Sequence, residues 1–227
     1  MNMNIILDYL LELRRNNCRE WYAAHKEERK IAEKEFEAFL QELIIRISEF
    51  DESVLFHNPK DLTFKMVRDT RFSNDKSPYN PTFRAHISSK GKYPIPVGYY
   101  ISISPEDMSF LGGGLFTDMF TNATTMIRDY ICNHGDEFLK IISDPSFCEH
   151  FTLKGTSLKN VPRGYDKEHP MASYLKYKSF YLEYYVEDNL LMDSETFLNL
   201  AVEKFKAMQA FNDFLNKALV EFKMPTR

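Results

Sequence analysis

Thiol chemistry has little to work with in this chain. Its three cysteines, Cys18, Cys132 and Cys148, are odd in number and show no C-x-x-C spacing, which argues against a disulfide framework and against a thiolate metal site. The six histidines are scattered without H-x-x-x-H or H-E-x-x-H spacing, so no metal is expected. G-x-S-x-G, G-x-G-x-x-G and G-x-x-x-x-G-K-[ST] are missing as well, which leaves no signature of a serine hydrolase, a dinucleotide cofactor or a P-loop, and no cofactor is expected. No apolar run approaches the roughly 20 residues that span a bilayer. The opening Met1 to Ile6 carries neither a basic stretch nor a small-residue cleavage site, so a soluble, cytoplasmic protein away from membranes is the expectation.

Aromatic residues, in contrast, are plentiful. Nineteen Phe and thirteen Tyr among 227 residues, with 44% of the chain hydrophobic, point to a packed core rather than disorder. Ile6, Leu10 and Leu13 share one helical face, and Asn17 with Glu20 three residues on reads as a cap opening a long second helix from Trp21 to Phe50. His25 is expected to pack on that helix. Then the period changes: Leu62 to Arg68, Thr82 to Ser88 and Val97 to Ser104 read as antiparallel strands. The glycines Gly112 to Gly114 read as a turn or bulge, with positive φ expected at Gly113. Ala123, Ile127 and Ile131 mark a helix stopped near Gly135, and the polar stretch from Lys154 to His169 reads as an irregular loop. Ser179 to Val186 reads as a last strand, and Ala201 to Phe222 as a closing amphipathic helix. The expected fold is a single α+β domain over residues 1–227, a mainly antiparallel sheet packed by N-terminal and C-terminal helices.

Charge is unevenly placed. Residues 60–92 hold eight Lys or Arg against three acids, a balance of +5, so the rest of a chain of net charge −4 carries −9. An acidic body repels a duplex over most of its surface while its one basic segment attracts a small anion, so a small anionic ligand is favoured and duplex nucleic acid disfavoured. The densest part of that segment is Lys65-Met66-Val67-Arg68-Asp69-Thr70-Arg71-Phe72-Ser73-Asn74-Asp75-Lys76-Ser77-Pro78-Tyr79. Lys65, Arg68, Arg71 and Lys76 are candidate anion ligands, and Asp69 is placed to orient an arginine. If Phe83, Ala85 and Ile87 point into the core, Arg84, His86 and Ser88 point away from it, as do Tyr100 and Ser102 on the next strand, giving a polar sheet face. Arg84 and Tyr100 then join the ligand-binding set, and Tyr79 and His86 are the candidate proton-transfer groups. The competing reading is a salt-bridge network among Arg68, Asp69, Arg71 and Asp75 that fixes a loop. The surplus of cations over carboxylates favours a ligand. Lys154, Lys159, Arg163 and Lys167 form a second basic stretch, read as a solvated loop.

The motif resembles the hallmark R-x-x-R-D-x-R-F-x-x-x-K-x-x-Y of the domain of unknown function 2461 family, bacterial proteins of about this length. The likeness extends through Asn17-Cys18-Arg19-Glu20-Trp21-Tyr22, Gly98-Tyr99-Tyr100, Phe110-Leu111-Gly112-Gly113-Gly114-Leu115, Val161-Pro162-Arg163-Gly164-Tyr165, His169-Pro170 and Lys178-Ser179-Phe180. Lys65 stands where the family carries its first arginine, replacing a planar fork by a point charge. The resemblance implies no activity. The residues themselves leave two function classes open: a small-anion site with acid–base catalysis as a further option, or a non-catalytic module for a nucleotide, a nucleic-acid end or an acidic partner segment.

Overall fold

Helix α1 (Met3–Arg15) opens on Asn2, whose side chain accepts the Asn4 N–H at 3.0 Å, and buries Met3, Ile6, Leu7, Leu10 and Leu13 along one face. The structure, a computed structural model, describes residues 1–116 and 120–225. The long second helix of the sequence reading is two helices, α2 (Arg19–Ala24) and α3 (Lys26–Ser48), parted at His25. The His25 ring stacks on Trp21 at 4.0 Å, and its Nδ1 lies 2.9 Å from the Trp21 carbonyl oxygen. That side-chain bond competes with helix continuation. Asn17 is not the cap of α2: Cys18 holds that position without a side-chain bond, and Asn17 is used elsewhere.

Four strands follow, β1 (Phe83–Ile87), β2 (Tyr99–Ile103), β3 (Ser109–Leu115) and β4 (Phe180–Val186), all antiparallel and in the order β1-β2-β3-β4. The register opposes Phe83 to Ile103 and Ala85 to Ile101, so Phe83, Ala85, Ile87, Tyr99, Ile101 and Ile103 share one buried face. Helix α3 closes it through Phe36, stacked on Phe83 at 5.5 Å. Helix α10 (Ser194–Ala218) closes it through Phe205, 5.3 Å from Tyr99. Between β3 and β4 the chain builds α5 (Thr121–Asn133), α6 (Gly135–Ile142), α7 (Pro145–His150) and α8 (Ala172–Leu175); α4 (Pro59–Leu62) precedes the sheet and α9 (Asp188–Leu191) follows it. Helices and sheet share one core, which makes the chain a single α+β domain.

Two expectations are corrected here. Residues 62–68 do not form a strand: they contribute isolated bridges, Thr63 to Ala85 and Val67 to Tyr79, because Leu62 ends α4 and the segment leaves the sheet edge after a few bonds. The glycines form no turn either, since Gly112 to Gly114 lie inside β3, and the positive φ falls on Gly114 (+84°) rather than Gly113. Glycine is required there by what packs on the strand. The buried Asn212 of α10 accepts the Gly114 N–H at 2.8 Å and donates to the Gly98 carbonyl at 3.1 Å, which brings the helix close onto β3. Among the described residues no helix is long and apolar enough to cross a membrane.

Candidate functional site

The charged motif is a hairpin with a long tip. Val67 bridges Tyr79, the Arg68 N–H donates to the Pro78 carbonyl at 2.9 Å, and the Asn80 N–H donates to the Met66 carbonyl at 2.7 Å. Asn17 clamps its returning arm, donating Nδ2 to the Tyr79 carbonyl at 2.9 Å and accepting the Tyr79 N–H at 3.1 Å. The Tyr79 ring is buried and stacks on Tyr22 at 3.7 Å. Asn17 and Tyr22 both belong to the segment that carries the family likeness, so one short stretch after α1 positions the hairpin by an amide and a ring.

Within the tip, each cation finds a partner in the loop itself. Arg68 pairs with Asp75 and donates Nη2 to the Ser73 hydroxyl at 3.3 Å. Arg71 forks onto Asp69, Nε at 2.9 Å and Nη2 at 2.6 Å, and Lys76 donates to the Thr70 carbonyl at 3.0 Å. Bonds from Ser77, together with Arg68, hold the Asp75 carboxyl well below the usual range. The Arg71 guanidinium lowers Asp69 and is itself raised by it. Only Arg68 is partly buried, at 28% side-chain exposure; Arg71 is 77% exposed and reaches solvent from the tip.

Where the hairpin meets the sheet there is a cleft of about 350 Å³. Arg14 and Asn17, the hairpin residues Arg68, Asp75, Ser77 and Tyr79, and Thr82, Ser104 and Met108 from the end of the sheet line it. Arg14, in the last turn of α1, donates Nη1 to Glu106 at 3.0 Å and to the Pro105 carbonyl at 3.3 Å, leaving the rest of its fork without a bond among the described residues. The cleft therefore presents two guanidiniums from separate elements, ringed by hydroxyl and amide groups, and one carboxylate already engaged by Arg68.

The remaining candidates lie on the outer sheet face, as the alternation predicted: Arg84 opposes Ser102 and His86 opposes Tyr100. They line a different place from the cleft, which begins one alternation step earlier at Thr82 and Ser104. Arg84 donates Nη2 to the Lys65 carbonyl at 3.3 Å, so Lys65 contributes backbone here while its side chain is exposed. Burial raises the Tyr100 phenol, with Arg84 opposing. His86 is 6% exposed, its Nδ1 has no hydrogen-bond partner among the described residues, and burial pushes the imidazole down to about 4, against backbone groups of Tyr93 and Lys92.

With this geometry fixed, comparison with known proteins places the chain. Residues 5–214 match the family model described as conserved hypothetical protein, DUF2461. The chain belongs to this family. Neither the curated proteins nor the solved structures give a match.

For this DUF2461 member the expected site thus divides in three. Arg68 and Tyr79 line the cleft; Lys65, Arg84, His86 and Tyr100 lie along β1 and the outer face; Asp69, Arg71 and Lys76 form the exposed tip. Arg14, Thr82, Ser104 and Met108 escaped the sequence reading, since none belongs to a motif and only the fold brings them to the hairpin. Asn17, which reads in the sequence as a helix cap, serves the hairpin instead. No group of three His, Cys, Asp or Glu among the described residues can hold a metal ion. Because the Arg71–Asp69 pair is open to solvent and screened, Arg71→Met is expected to leave the melting temperature unchanged within the scatter of replicate scans. A melting temperature several degrees below the parent's would identify the pair as a structural lock on the hairpin.

Proposed function

We propose that the protein is a cytoplasmic, non-catalytic binding module for a small phosphate- or carboxylate-bearing anion, seated in the cleft between α1, the hairpin and the start of β1. The observation that carries this reading is the convergence of Arg14 and Arg68 on one cleft from elements more than fifty positions apart. Guanidinium forks suit planar oxyanions, and hydroxyl groups of Ser77, Thr82 and Ser104 supply neutral donors beside them. Proton transfer has weaker support. Tyr79 is held in its stack with Tyr22, and His86, buried and neutral, lies outside the cleft. The unpaired thiols of Cys18, Cys132 and Cys148 fit a reducing compartment.

Calorimetric titration with phosphate, citrate and a nucleoside monophosphate tests the proposal beside Arg14→Met and Arg68→Met. Both variants keep the apolar stem, and Asp75, the carboxylate released by the second, is exposed, so both are expected to stay folded. Each is expected to weaken anion binding at least tenfold. Parent protein that binds none of the three anions, or variants that bind them as well as the parent, would discard the cleft as an anion site.

A further inference from the structure

The helices α3 and α10 cover one face of the sheet. The other carries aromatic rings from one edge to the opposite one: Phe64 beside β1, Tyr100 on β2, Phe110 on β3 and Tyr185 on β4, with successive centroids 6.3, 5.7 and 5.8 Å apart. Phe116, just past β3, lies over Gly112, where an added Cβ would come within 2.6 Å of its ring, and stacks on Tyr181 at 4.7 Å. Tyr185 is 54% and Phe116 36% exposed, while Phe64, Tyr100 and Phe110 are half-buried and show part of each ring at the surface. A contiguous aromatic surface on a monomer's exterior marks an interaction site more often than chance packing.

The charge around it narrows the occupant. Each sheet edge carries cations. Residues 63–67 run beside β1, where Thr63 bridges Ala85, and bring Lys65 next to Arg84. Beside β4, Lys154 bridges Tyr181 and sets its ammonium 5.4 Å from the Tyr185 ring; residues 151–165 around it hold three cations and no acid. Glu183, the one carboxylate that the described strand residues set on this face, is engaged by Lys154 at 3.1 Å. Arg84 keeps a buried Nε that has no hydrogen-bond partner among the described residues, beside the Phe64 ring.

We infer that this outer face is a docking platform for single-stranded nucleic acid, its rings stacking on exposed bases and its basic edges, Arg84 and Lys154 foremost, taking the phosphates. Base–aromatic stacking tolerates any sequence, and a positively charged margin tracks the backbone. Four strands span about 14 Å, which suits the two or three bases that an aromatic sheet face holds. A duplex hides its base faces in its own stack and offers this surface nothing. A second copy of the chain is disfavoured because both edges are basic, so either edge of a self-complementary interface would meet a like charge.

Fluorescence anisotropy with labelled eight-nucleotide oligothymidylate and oligouridylate, alongside a blunt hairpin duplex, tests the inference at low and physiological salt. The single strands are expected to bind and to weaken as salt rises, while the duplex binds at least tenfold more weakly. Tyr185→Ala removes an exposed ring, leaves the core intact, and is expected to weaken the single strands about tenfold. Lys154→Gln is expected to reduce the salt slope by about one phosphate contact. Arg68→Met, in the separate cleft, is expected to change neither, so failure of the anion site does not touch this result. Three findings would overturn the platform: no single-strand binding at low salt, Tyr185→Ala binding as the parent does, or duplex binding of equal strength. Sedimentation showing a dimer that Tyr185→Ala dissolves would assign the face to self-association and likewise overturn it.

Discussion

Gly114→Ala is expected to lower the stability of the protein by about 3–5 kcal/mol, combining a strained φ with overpacking against the neighbouring strand. Gly114 sits at φ +84°, and a Cβ there would run into the Phe180 carbonyl oxygen of β4 and lie 2.9 Å from the Phe211 ring of α10. Neither obstacle can give way cheaply. One is backbone in a paired strand, the other a fully buried ring. The variant also displaces the N–H that Asn212 accepts, so strand and helix are disturbed together. Gly113→Ala is the control. Its φ is not positive, and the nearest atoms are the Met208 sulfur at 2.9 Å and the Asn212 amide oxygen at 3.1 Å, both in side chains, so a smaller cost of about 1–2 kcal/mol is expected. Denaturant unfolding monitored by circular dichroism compares the midpoints. A Gly114→Ala midpoint equal to the parent's would mean that β3 relaxes at this position and that the close approach of α10 is not a constraint.

Lowering the pH from about 6.5 to about 4 is expected to remove roughly 3 kcal/mol of stability through His86 alone. The sign follows from where the proton goes. Burial depresses the folded-state imidazole to about 4, while the unfolded chain takes up its proton near the ordinary value of about 6.5. Between those two values the unfolded state binds a proton that the folded state refuses, so stability is present above the window and is lost as pH falls through it. His86→Leu removes the titration. Its unfolding free energy, measured at half-unit intervals, is expected to lose one proton's slope across this window, whatever its absolute stability. The remaining five histidines are common to both proteins and cancel. Identical slopes in the two proteins would show that the His86 imidazole is solvated enough to charge in the folded state.

The sequence carried the sheet well where one strand pairs with the next. Alternation at 83–88 and 97–104 put Phe83, Ala85, Ile101 and Ile103 inside and Arg84, His86, Tyr100 and Ser102 outside, and the register agrees. It failed where the deciding partner is distant. Three successive glycines look like a turn until Met208, Asn212 and the Phe180 carbonyl arrive from elsewhere in the chain. Asn17 looks like a helix cap because a cap is the nearest use for an asparagine, whereas its real partner is the backbone of Tyr79, 62 positions on. The candidate site suffered the same way. One charged motif suggested one groove, but a hairpin turns successive residues to different neighbours, and Arg68, Arg71 and Arg84 end in three environments. What remained legible was chemistry rather than placement: a concentration of guanidiniums, and a sheet face unlike its partner.

The segments that flank the sheet also govern how this chain meets its own copies. A terminal strand with free N–H and C=O groups invites another strand to add, and a chain with nineteen phenylalanines and thirteen tyrosines gives such an addition ample apolar surface to bury. Here the Phe64 N–H donates to the Arg84 carbonyl outside β1, and Lys154 exchanges both backbone bonds with Tyr181 outside β4. Both flanks are short, irregular and lysine-bearing, so they occupy the ladder without offering a continuous one of their own. The fold thereby guards against growth into fibres at the two places where its sheet would otherwise be extended.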